Sequence, residues 1–343
     1  MKIYAIEWYR YFFACFICVL HFKEYFGNPY PFGGAYLAVE FFFIVSGFFL
    51  MKTILEEKAD LDAETAVIIF AKNKFKRFYP QYIISWIILA VYCVLVRNST
   101  NFTDLLIYYL DEIFMIQMIG AGRALNAAMW YVSALYIVSV IFYYIAKKNI
   151  KIFTNILCPI IVLLIYSYYY QTNGSLAGIA WKNELIVRNG IWRAMAGLCV
   201  GCIVYNVYLY FTNKKQETTN KKQQTIIGSI YELIFLCVLS ALFYGSGCTV
   251  KDFTLVGLMA VMLFSIVYNN SYLTTTLNGL KIDGSYAYAM YCNHWVVNYF
   301  IRDFFPGKPF FFMVIIYLIL TICLSIITTK FINKLKHIIK EVS

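Results

Sequence analysis

Apolar stretches of about 20 residues alternate along the chain with short polar segments. A helix needs about 20 mostly apolar residues to cross the hydrocarbon core of a bilayer. The pattern predicts ten transmembrane helices, over residues 5–26, 36–55, 81–96, 129–146, 152–170, 186–209, 225–245, 253–269, 285–303 and 310–332. A further apolar stretch, 102–119, is interrupted by Asp104, Asp111 and Glu112. We expect this stretch to lie in the membrane interface or to re-enter the membrane.

The polar segments between these stretches are short, and none has the composition of a soluble domain. Only residues 212–225 (TNKKQETTNKKQQT) are of low complexity, and we expect them to form a cytoplasmic loop. The first stretch carries Arg10 and lacks a small-residue cleavage site, which indicates a retained helix rather than a signal peptide. The sequence therefore predicts one membrane-embedded domain over residues 1–343, an all-α polytopic bundle of about ten helices.

The composition and charge of the chain agree with a membrane protein. The chain is 62% hydrophobic and 14% charged, whereas soluble domains are about half apolar and a quarter charged. The net charge of +11 comes without an aromatic–basic motif for nucleic acid, so we exclude that partner. With an internal N-terminus, 19 of the 29 Lys and Arg residues fall in cytoplasmic segments and 8 in external ones. This bias predicts that both termini are cytoplasmic.

Two cysteine pairs have the spacing of a metal knuckle, Cys15–Cys18 and Cys199–Cys202. A second pair or a histidine does not follow either of them at the distance that a zinc site requires. We therefore interpret these cysteines as small apolar helix residues, and we predict neither a metal nor disulfides.

A few ionisable side chains lie inside the predicted spans: Arg10, His21, Glu40, Arg193 and His294. Such residues are costly in hydrocarbon and often mark functional sites. Arg10 and His21 are eleven residues apart, which places them on one helix face, about 16 Å apart along the axis. That face must contact protein or a water-filled cavity. His294 lies near the middle of its span and could meet His21, although each histidine could also be a packed residue with a hydrogen-bonded partner. The third histidine, His337, lies in the basic C-terminal tail, where we expect it to be solvated.

The other two intramembrane charges leave several roles open. Glu40 lies near the outer end of the second span, where it can hold Arg10, orient an imidazole or cap the start of the helix. Arg193 needs an anion or a ring of carbonyl groups as its partner.

A basic segment precedes the third span. The sequence KNKFKRFYPQY (72–82) contains Lys72, Lys74, Lys76 and Arg77, with Pro80 where we expect the helix to begin. These cations either anchor the span on its cytoplasmic side or bind the phosphates of an anionic cofactor.

A second segment, GRALNAAMWYVSALY (122–136), leads into the fourth span. It offers an amide, hydroxyls and aromatic faces through Asn126, Trp130, Tyr131 and Ser133. These groups are typical of sugar binding, although an interfacial aromatic belt would explain Trp130 and Tyr131 equally well.

Taken in order, these segments resemble the motifs of acyltransferase family 3, a family of integral membrane O-acyltransferases. Arg10 and His21 resemble its opening motif of an arginine and a histidine separated by ten residues. VEFFFIVSGF (39–48) resembles its acidic residue followed by an FFxxSG element, and Lys74 to Arg77 with Tyr79 and Pro80 resembles its RxxR element ahead of a YP pair. MWYVSALYIV (129–138) resembles its tryptophan–serine segment, and YAMYCNHWVV (288–297) resembles its late Tyr-x-x-x-x-His segment. The resemblance extends over nearly the whole chain.

Two positions depart from the family pattern. Lys74 occupies the first position of the RxxR element, which keeps a cation but loses the bidentate geometry of arginine. Leu135 occupies a position, two residues after Ser133, where many members carry a glutamate. The sequence WYxSAL resembles a subgroup that acts on surface polysaccharides.

The resemblance implies transfer of an acyl group, usually acetyl, from cytosolic acyl-CoA to a hydroxyl of a cell-surface or lipid-linked glycan in the bacterial inner membrane. It implies that His21 is the general base or carries the acyl group, since imidazole titrates near neutral pH. In the same interpretation Arg10 steadies the donor, and Glu40 supports this catalytic face. Lys74 and Arg77 would bind the coenzyme phosphates. His294 would bind the acceptor or carry a proton outward, and the remaining acceptor contacts would be Asn126, Trp130, Tyr131, Ser133 and Arg193.

Two other classes of function are compatible with such a chain. A transporter or flippase of a lipid-linked or polymeric glycan would also have many spans and buried charges. However, no inverted repeat is evident, and the spacing of Arg10 and His21 has no rationale in transport. A glycan polymerase or ligase usually carries a large external loop, and the longest external stretch here, 97–128, is short. The acceptor, the choice between acetyl and succinyl, and the choice between direct transfer and an acyl-enzyme stay open.

Overall fold

The computed structural model describes residues 3–26, 33–57, 61–120, 123–177, 183–184, 187–214, 221–244, 249–269 and 271–342. Residues 215–220 of the predicted cytoplasmic loop lie outside these ranges. The described α-helices are α1 (Tyr4–Phe26), α2 (Ala38–Glu56), α3 (Ala63–Leu95), α4 (Phe102–Tyr108), α5 (Leu110–Ile113), α6 (Trp130–Lys148), α7 (Ile150–Ile152), α8 (Cys158–Asn173), α9 (Asn189–Asn213), α10 (Lys221–Tyr244), α11 (Lys251–Tyr268), α12 (Tyr272–Gly279), α13 (Ser285–Phe304) and α14 (Phe310–Val342). Two short strands, β1 (Asn183–Glu184) and β2 (Val187–Arg188), pair antiparallel. The all-α prediction is confirmed.

Eight helical segments of the described chain are long and apolar enough to cross a membrane. They are Tyr4–Phe22, Gly33–Glu56, Ala63–Leu95, Ala127–Lys148, Ile150–Asn173, Asn189–Asn213, Lys251–Tyr268 and Phe310–Ile339. The two other predicted spans, 225–245 and 285–303, coincide with the long helices α10 and α13. α13 is less apolar because it contains Asn293, His294 and Asn298, whose polar side chains are buried inside the bundle. The protein is thus a polytopic helical bundle, and the count of ten spans stays a prediction.

The third predicted span is the second half of a longer helix. α3 begins after Asp62, whose side chain accepts a hydrogen bond of 2.8 Å from the backbone N–H of Thr65. Pro80 lies inside α3, so the prediction that it begins a helix was wrong. No proline or glycine interrupts residues 63–79. An interior proline removes one hydrogen bond and crowds the carbonyl group four residues earlier, and the long helix tolerates both effects at Pro80. The basic residues of 72–82 therefore project from a helix rather than from a loop.

The interrupted stretch 102–119 does not form a transmembrane helix. It folds into α4 and α5, which are too short to cross a bilayer, and then turns at Met115, whose φ is +60°. This finding agrees with an interfacial or re-entrant segment.

The centre of the bundle is formed by α2 and α9. Of the 18 most apolar consecutive residues in the span that contains α2, 78% are buried, against 22% in the span that contains α8. Two glycines bring the backbones of α2 and α9 into contact. A Cβ at Gly201 would lie 1.9 Å from the carbonyl oxygen of Ile44, and one at Gly47 would lie 2.0 Å from that of Leu198. Small residues allow such close approach in membrane proteins.

Replacing Gly201 with alanine is expected to destabilise the protein by about 1–3 kcal/mol, because the new methyl group overlaps the backbone of α2. The midpoint of thermal unfolding in detergent measures the effect. Gly257→Ala is the matched control, since a Cβ at Gly257 of α11 meets nothing within 4 Å. Equal midpoints for the two variants would show that the contact between α2 and α9 does not limit stability.

Candidate active site

The two intramembrane histidines lie together. The rings of His21 on α1 and His294 on α13 are stacked, with centroids 5.3 Å apart and planes inclined by 20°. His294 is fully buried, and its Nδ1 lies 2.6 Å from the carbonyl oxygen of Tyr291. A carbonyl only accepts, so this contact assigns the proton to Nδ1 and leaves a lone pair on Nε2. Within the described residues, Nε2 of His294 has no hydrogen-bond partner.

Two more residues of α13 contact His21, and sequence reasoning missed both. The ring of Trp295 meets that of His21 edge-to-face, at a centroid distance of 5.1 Å. Asn298 donates a hydrogen bond of 3.0 Å from Nδ2 to the main-chain oxygen of His21. Asn298 follows His294 by four residues and so shares its helix face, which is the signal that could have identified it.

Arg10 pairs with Glu7, one turn earlier on α1. Nη1 of Arg10 lies 2.9 and 3.0 Å from the two carboxylate oxygens of Glu7. The hypothesis that Glu40 holds Arg10 was therefore wrong. Arg10 is near the start of α1 and Glu40 is near the start of α2. The two helices are consecutive spans and run in opposite directions, so these residues lie toward opposite sides of the membrane. Glu7 was missed because it lies in the first turn of a strongly apolar helix.

A cluster of cations lies near the beginning of α1. Arg10, Lys74 and Arg77 are close enough to repel one another electrostatically, and Glu7 and Asp283 are the nearby acidic residues. In the described part of the chain, neither Lys74 nor Arg77 has a carboxylate oxygen within 4 Å. With three cations and two carboxylates, the cluster has an excess of positive charge that an anionic ligand can neutralise.

The side chains of Lys74 and Arg77 lie against aromatic rings. The ammonium of Lys74 is 5.5 Å from the ring centroid of Phe70 and 5.6 Å from that of Phe78. The guanidinium of Arg77 lies 5.8 Å from the ring of Phe78. These contacts support the stems of both side chains without consuming their hydrogen-bond donors.

Glu40 and Arg193 form a buried ion pair between α2 and α9. Oε1 of Glu40 lies 2.8 Å from Nε and 2.7 Å from Nη2 of Arg193. The guanidinium also lies 5.8 Å from the ring centroid of Tyr36 and 5.3 Å from that of Trp130. Glu40 therefore supplies the anion that Arg193 needs, and both charges are engaged within the protein.

A second buried carboxylate lies close to this pair. Asp252 on α11 accepts hydrogen bonds from the hydroxyl of Tyr36 and, at 2.9 Å, from the backbone N–H of Leu176. Asp252 is near enough to Glu40 for the two carboxylates to repel each other. Sequence reasoning missed it, because an aspartate in the first turn of a helix is also typical of capping.

The predicted acceptor segment is divided between two environments. Asn126 and Tyr131 contact α13 beside His294. Nδ2 of Asn126 donates a 3.1 Å hydrogen bond to the carbonyl of Cys292, and the rings of Tyr131 and Tyr291 meet edge-to-face at 5.4 Å. These two residues therefore border the histidine pair.

The other two residues of that segment have partners elsewhere. Trp130 packs against Arg193, and the hydroxyl of Ser133 accepts a 3.2 Å hydrogen bond from the backbone N–H of Met118. Their contacts explain both residues as supports of the surrounding structure.

Glu112 organises the backbone that leads to Asn126. Its carboxylate accepts hydrogen bonds from the backbone N–H groups of Leu125 (2.6 Å) and Asn126 (3.0 Å) and from Nε1 of Trp86 (3.1 Å). Burial raises the pKa of Glu112 to about 8, although these hydrogen bonds act in the opposite direction. The interruption of an apolar stretch by Glu112 was visible in the sequence, but its partners were not.

The nine cysteines within the described residues are free thiols, including those of both knuckle-like pairs. Within the ranges that the structure describes, no three His, Cys, Asp or Glu residues are placed to hold a metal ion.

Comparison with known proteins identifies the family. A family model described as an acyltransferase domain matches residues 3–330. Comparisons with curated proteins and with solved structures return no match. The matched range contains the histidine pair, the cation cluster and the buried ion pair, and it confirms the resemblance drawn from the sequence motifs. The chain therefore belongs to acyltransferase family 3 and is a multi-pass membrane acyltransferase of groups other than amino-acyl groups.

Proposed function

We propose that the protein transfers an acetyl group from cytosolic acetyl-CoA to a hydroxyl of a cell-surface or lipid-linked glycan, in the inner membrane of a bacterium. One observation carries this proposal. Near the beginning of α1, Arg10 lies in a cation cluster with Lys74 and Arg77 of α3, and eleven residues further along α1 the ring of His21 stacks on that of His294. A site for an anionic donor and a site for acid–base chemistry thus share one helix.

The cation cluster is the proposed site of the coenzyme phosphates. Lys and Arg bind phosphate oxygens through charge-assisted hydrogen bonds, and the cluster has positive charge in excess. From Arg10 to His21 the rise along α1 is about 16 Å. A donor held by its phosphates at Arg10, Lys74 and Arg77 needs a long arm to bring its reactive carbonyl to His21. Coenzyme A has such an arm between its phosphates and its thioester.

The histidine pair is the proposed site of acyl transfer. The acceptor hydroxyl attacks the thioester carbonyl while its proton moves to the imidazole of His21. The tetrahedral intermediate then breaks the C–S bond, and the departing thiolate takes that proton to give CoA. Two stacked imidazoles repel each other when both are protonated, so His294 stays neutral while His21 holds the proton of the acceptor.

An acyl-enzyme route uses the same residues. The lone pair of His21 attacks the thioester carbonyl, the C–S bond breaks, and the departing thiolate takes the proton of the other ring nitrogen to leave as CoA, which gives an acyl-imidazole. The acceptor hydroxyl then attacks the acyl group while His294 removes its proton, and His294 passes that proton to the imidazole of His21 as the C–N bond breaks. Trapping an acetylated His21 after rapid mixing with acetyl-CoA distinguishes this route from direct transfer.

The donor site has its own test. Replacing Arg77 with glutamine is expected to weaken acetyl-CoA binding by about 10- to 100-fold, since it removes hydrogen bonds from a charged group to phosphate. Calorimetry on purified protein in nanodiscs measures the affinity. Arg97→Gln is the matched control, because Arg97 pairs with Asp303 near the other end of α3. Unchanged binding by Arg77→Gln would place the donor elsewhere. Failure of the wild type to bind acetyl-CoA would contradict the proposed donor and favour glycan transport.

A further inference from the structure

We infer that the face of α13 beside His21 recognises a polyhydroxylated acceptor through three atoms: Nε2 of His294, Nε1 of Trp295 and Oδ1 of Asn298. The inference rests on the proposed function. It deepens that function by assigning recognition of the acceptor to Trp295 and Asn298.

All three atoms are buried, and none has a hydrogen-bond partner within the described chain. The side chains of His294 and Asn298 are themselves fully buried. Folded proteins pair nearly all of their buried polar atoms, because an unpaired one loses its hydrogen bonds to water without replacement. The three atoms lie within one and a half turns of α13, beside the imidazole of His21, so one ligand at this position can complete the hydrogen bonds of all three.

The three residues share one neighbour. His294 stacks on the ring of His21, Trp295 meets the same ring edge-to-face, and Asn298 donates to its main-chain oxygen. A ligand that reaches these atoms therefore also reaches the imidazole that performs the proposed chemistry.

The hydrogen-bonding role of each atom is determined by its surroundings. Nε2 of His294 accepts, because Nδ1 donates to the carbonyl of Tyr291. Oδ1 of Asn298 accepts, because the amide nitrogen is the group that donates to His21. The indole N–H of Trp295 only donates. The complementary ligand offers at least two hydroxyl donors and one oxygen acceptor, as a sugar does, whereas an alcohol with a single hydroxyl cannot satisfy all three.

Benzyl glycosides of glucose, galactose, mannose and N-acetylglucosamine serve as soluble probes, with benzyl alcohol as the probe that has one hydroxyl. Transfer of radiolabelled acetyl from acetyl-CoA is measured on the full-length protein in nanodiscs. Trp295→Phe keeps an aromatic ring and removes the N–H, and it is expected to raise the KM for the glycosides about 3- to 10-fold. Transfer to benzyl alcohol and the affinity for acetyl-CoA are expected to stay unchanged.

The matched control is Trp8→Phe, since Nε1 of Trp8 is also buried without a partner in the described chain but lies near the beginning of α1. Its KM for the glycosides is expected to equal that of the wild type. Asn298→Leu provides a second variant. Loss of recognition lowers transfer to the glycosides alone, whereas mere displacement of His21 lowers transfer to benzyl alcohol as well and contradicts the inference for Asn298.

The outcomes separate this inference from the proposed function. A wild type that does not bind acetyl-CoA contradicts the proposed function itself. A wild type that turns over acetyl-CoA but prefers no glycoside to benzyl alcohol overturns the inference alone. So does a KM that stays within twofold of the wild-type value in both Trp295→Phe and Asn298→Leu.

Discussion

Acyl transfer by the His21→Ala variant is expected to fall by about 10²- to 10⁴-fold, while acetyl-CoA binds as in the wild type. General-base assistance by a positioned imidazole is typically worth about this factor. The proposed phosphate site lies near the beginning of α1, about 16 Å along the helix from His21. Removing the imidazole therefore leaves that site intact. Release of CoA by purified protein, followed chromatographically with and without a glycan acceptor, measures the rate, and calorimetry measures the binding.

The chain offers a matched control in His337. It is the only histidine outside the site, and it is exposed near the end of α14. His337→Ala is expected to retain the full rate. If His21→Ala also retains it, His21 is a packed aromatic residue rather than the base. If His21→Ala continues to acylate its acceptor but stops glycan export in cells, transport becomes the better account of the protein.

Replacing Arg193 with methionine is expected to destabilise the protein by about 3–5 kcal/mol, because it leaves the carboxylate of Glu40 buried without its partner. Chemical unfolding in detergent, or a scan of thermal unfolding, measures the loss. The double variant Glu40→Gln with Arg193→Met is expected to recover most of it, since no unpaired charge is then buried.

An exposed ion pair provides the comparison for this experiment. Lys148 and Glu64 lie 2.6 Å apart, and both side chains are more than half exposed (52% and 57%). Lys148→Met is therefore expected to shift the unfolding transition far less than Arg193→Met does. If Arg193→Met unfolds like the wild type but has a raised KM for the acceptor, Arg193 binds substrate and does not support the fold.

The sequence predicted which residues lie in membrane helices more accurately than it predicted which side chains of different helices contact each other. Apolar stretches identify helices such as α2 and α6 because a bilayer selects for length and hydropathy, which are local properties. The polar face of α1, with Arg10 and His21, was also a local property, since it follows from helical periodicity. The hypothesis that Glu40 holds Arg10 was wrong, although periodicity alone favours Glu7, which lies three residues before Arg10 on the same helix.

The least predictable parts of the site depend on how distant helices pack. From the sequence, the meeting of His21 and His294 was one alternative, because the contact depends on α1 lying beside α13 and no periodicity within either helix reports it. The same holds for Asn298, which bonds to a main-chain oxygen of another helix. The course of α3 through Pro80 was predicted wrongly for a different reason. An interior proline costs a helix about 3 kcal/mol, and the remaining hydrogen bonds and the packing of the 33 residues of α3 outweigh this cost, so Pro80 does not end the helix.

The contact between α2 and α9 restricts how the protein can move. Helices that slide past each other in shear motions do so by small rearrangements of a side-chain layer between them. At Gly47 and Gly201 there is no such layer, because carbonyl oxygens of one helix occupy the space where the other would carry Cβ atoms. The two helices are also joined by the ion pair of Glu40 and Arg193, and they therefore move as one rigid body. Any opening that admits a donor or releases a product must come from the helices around it, including α1 and α13, which carry the histidines.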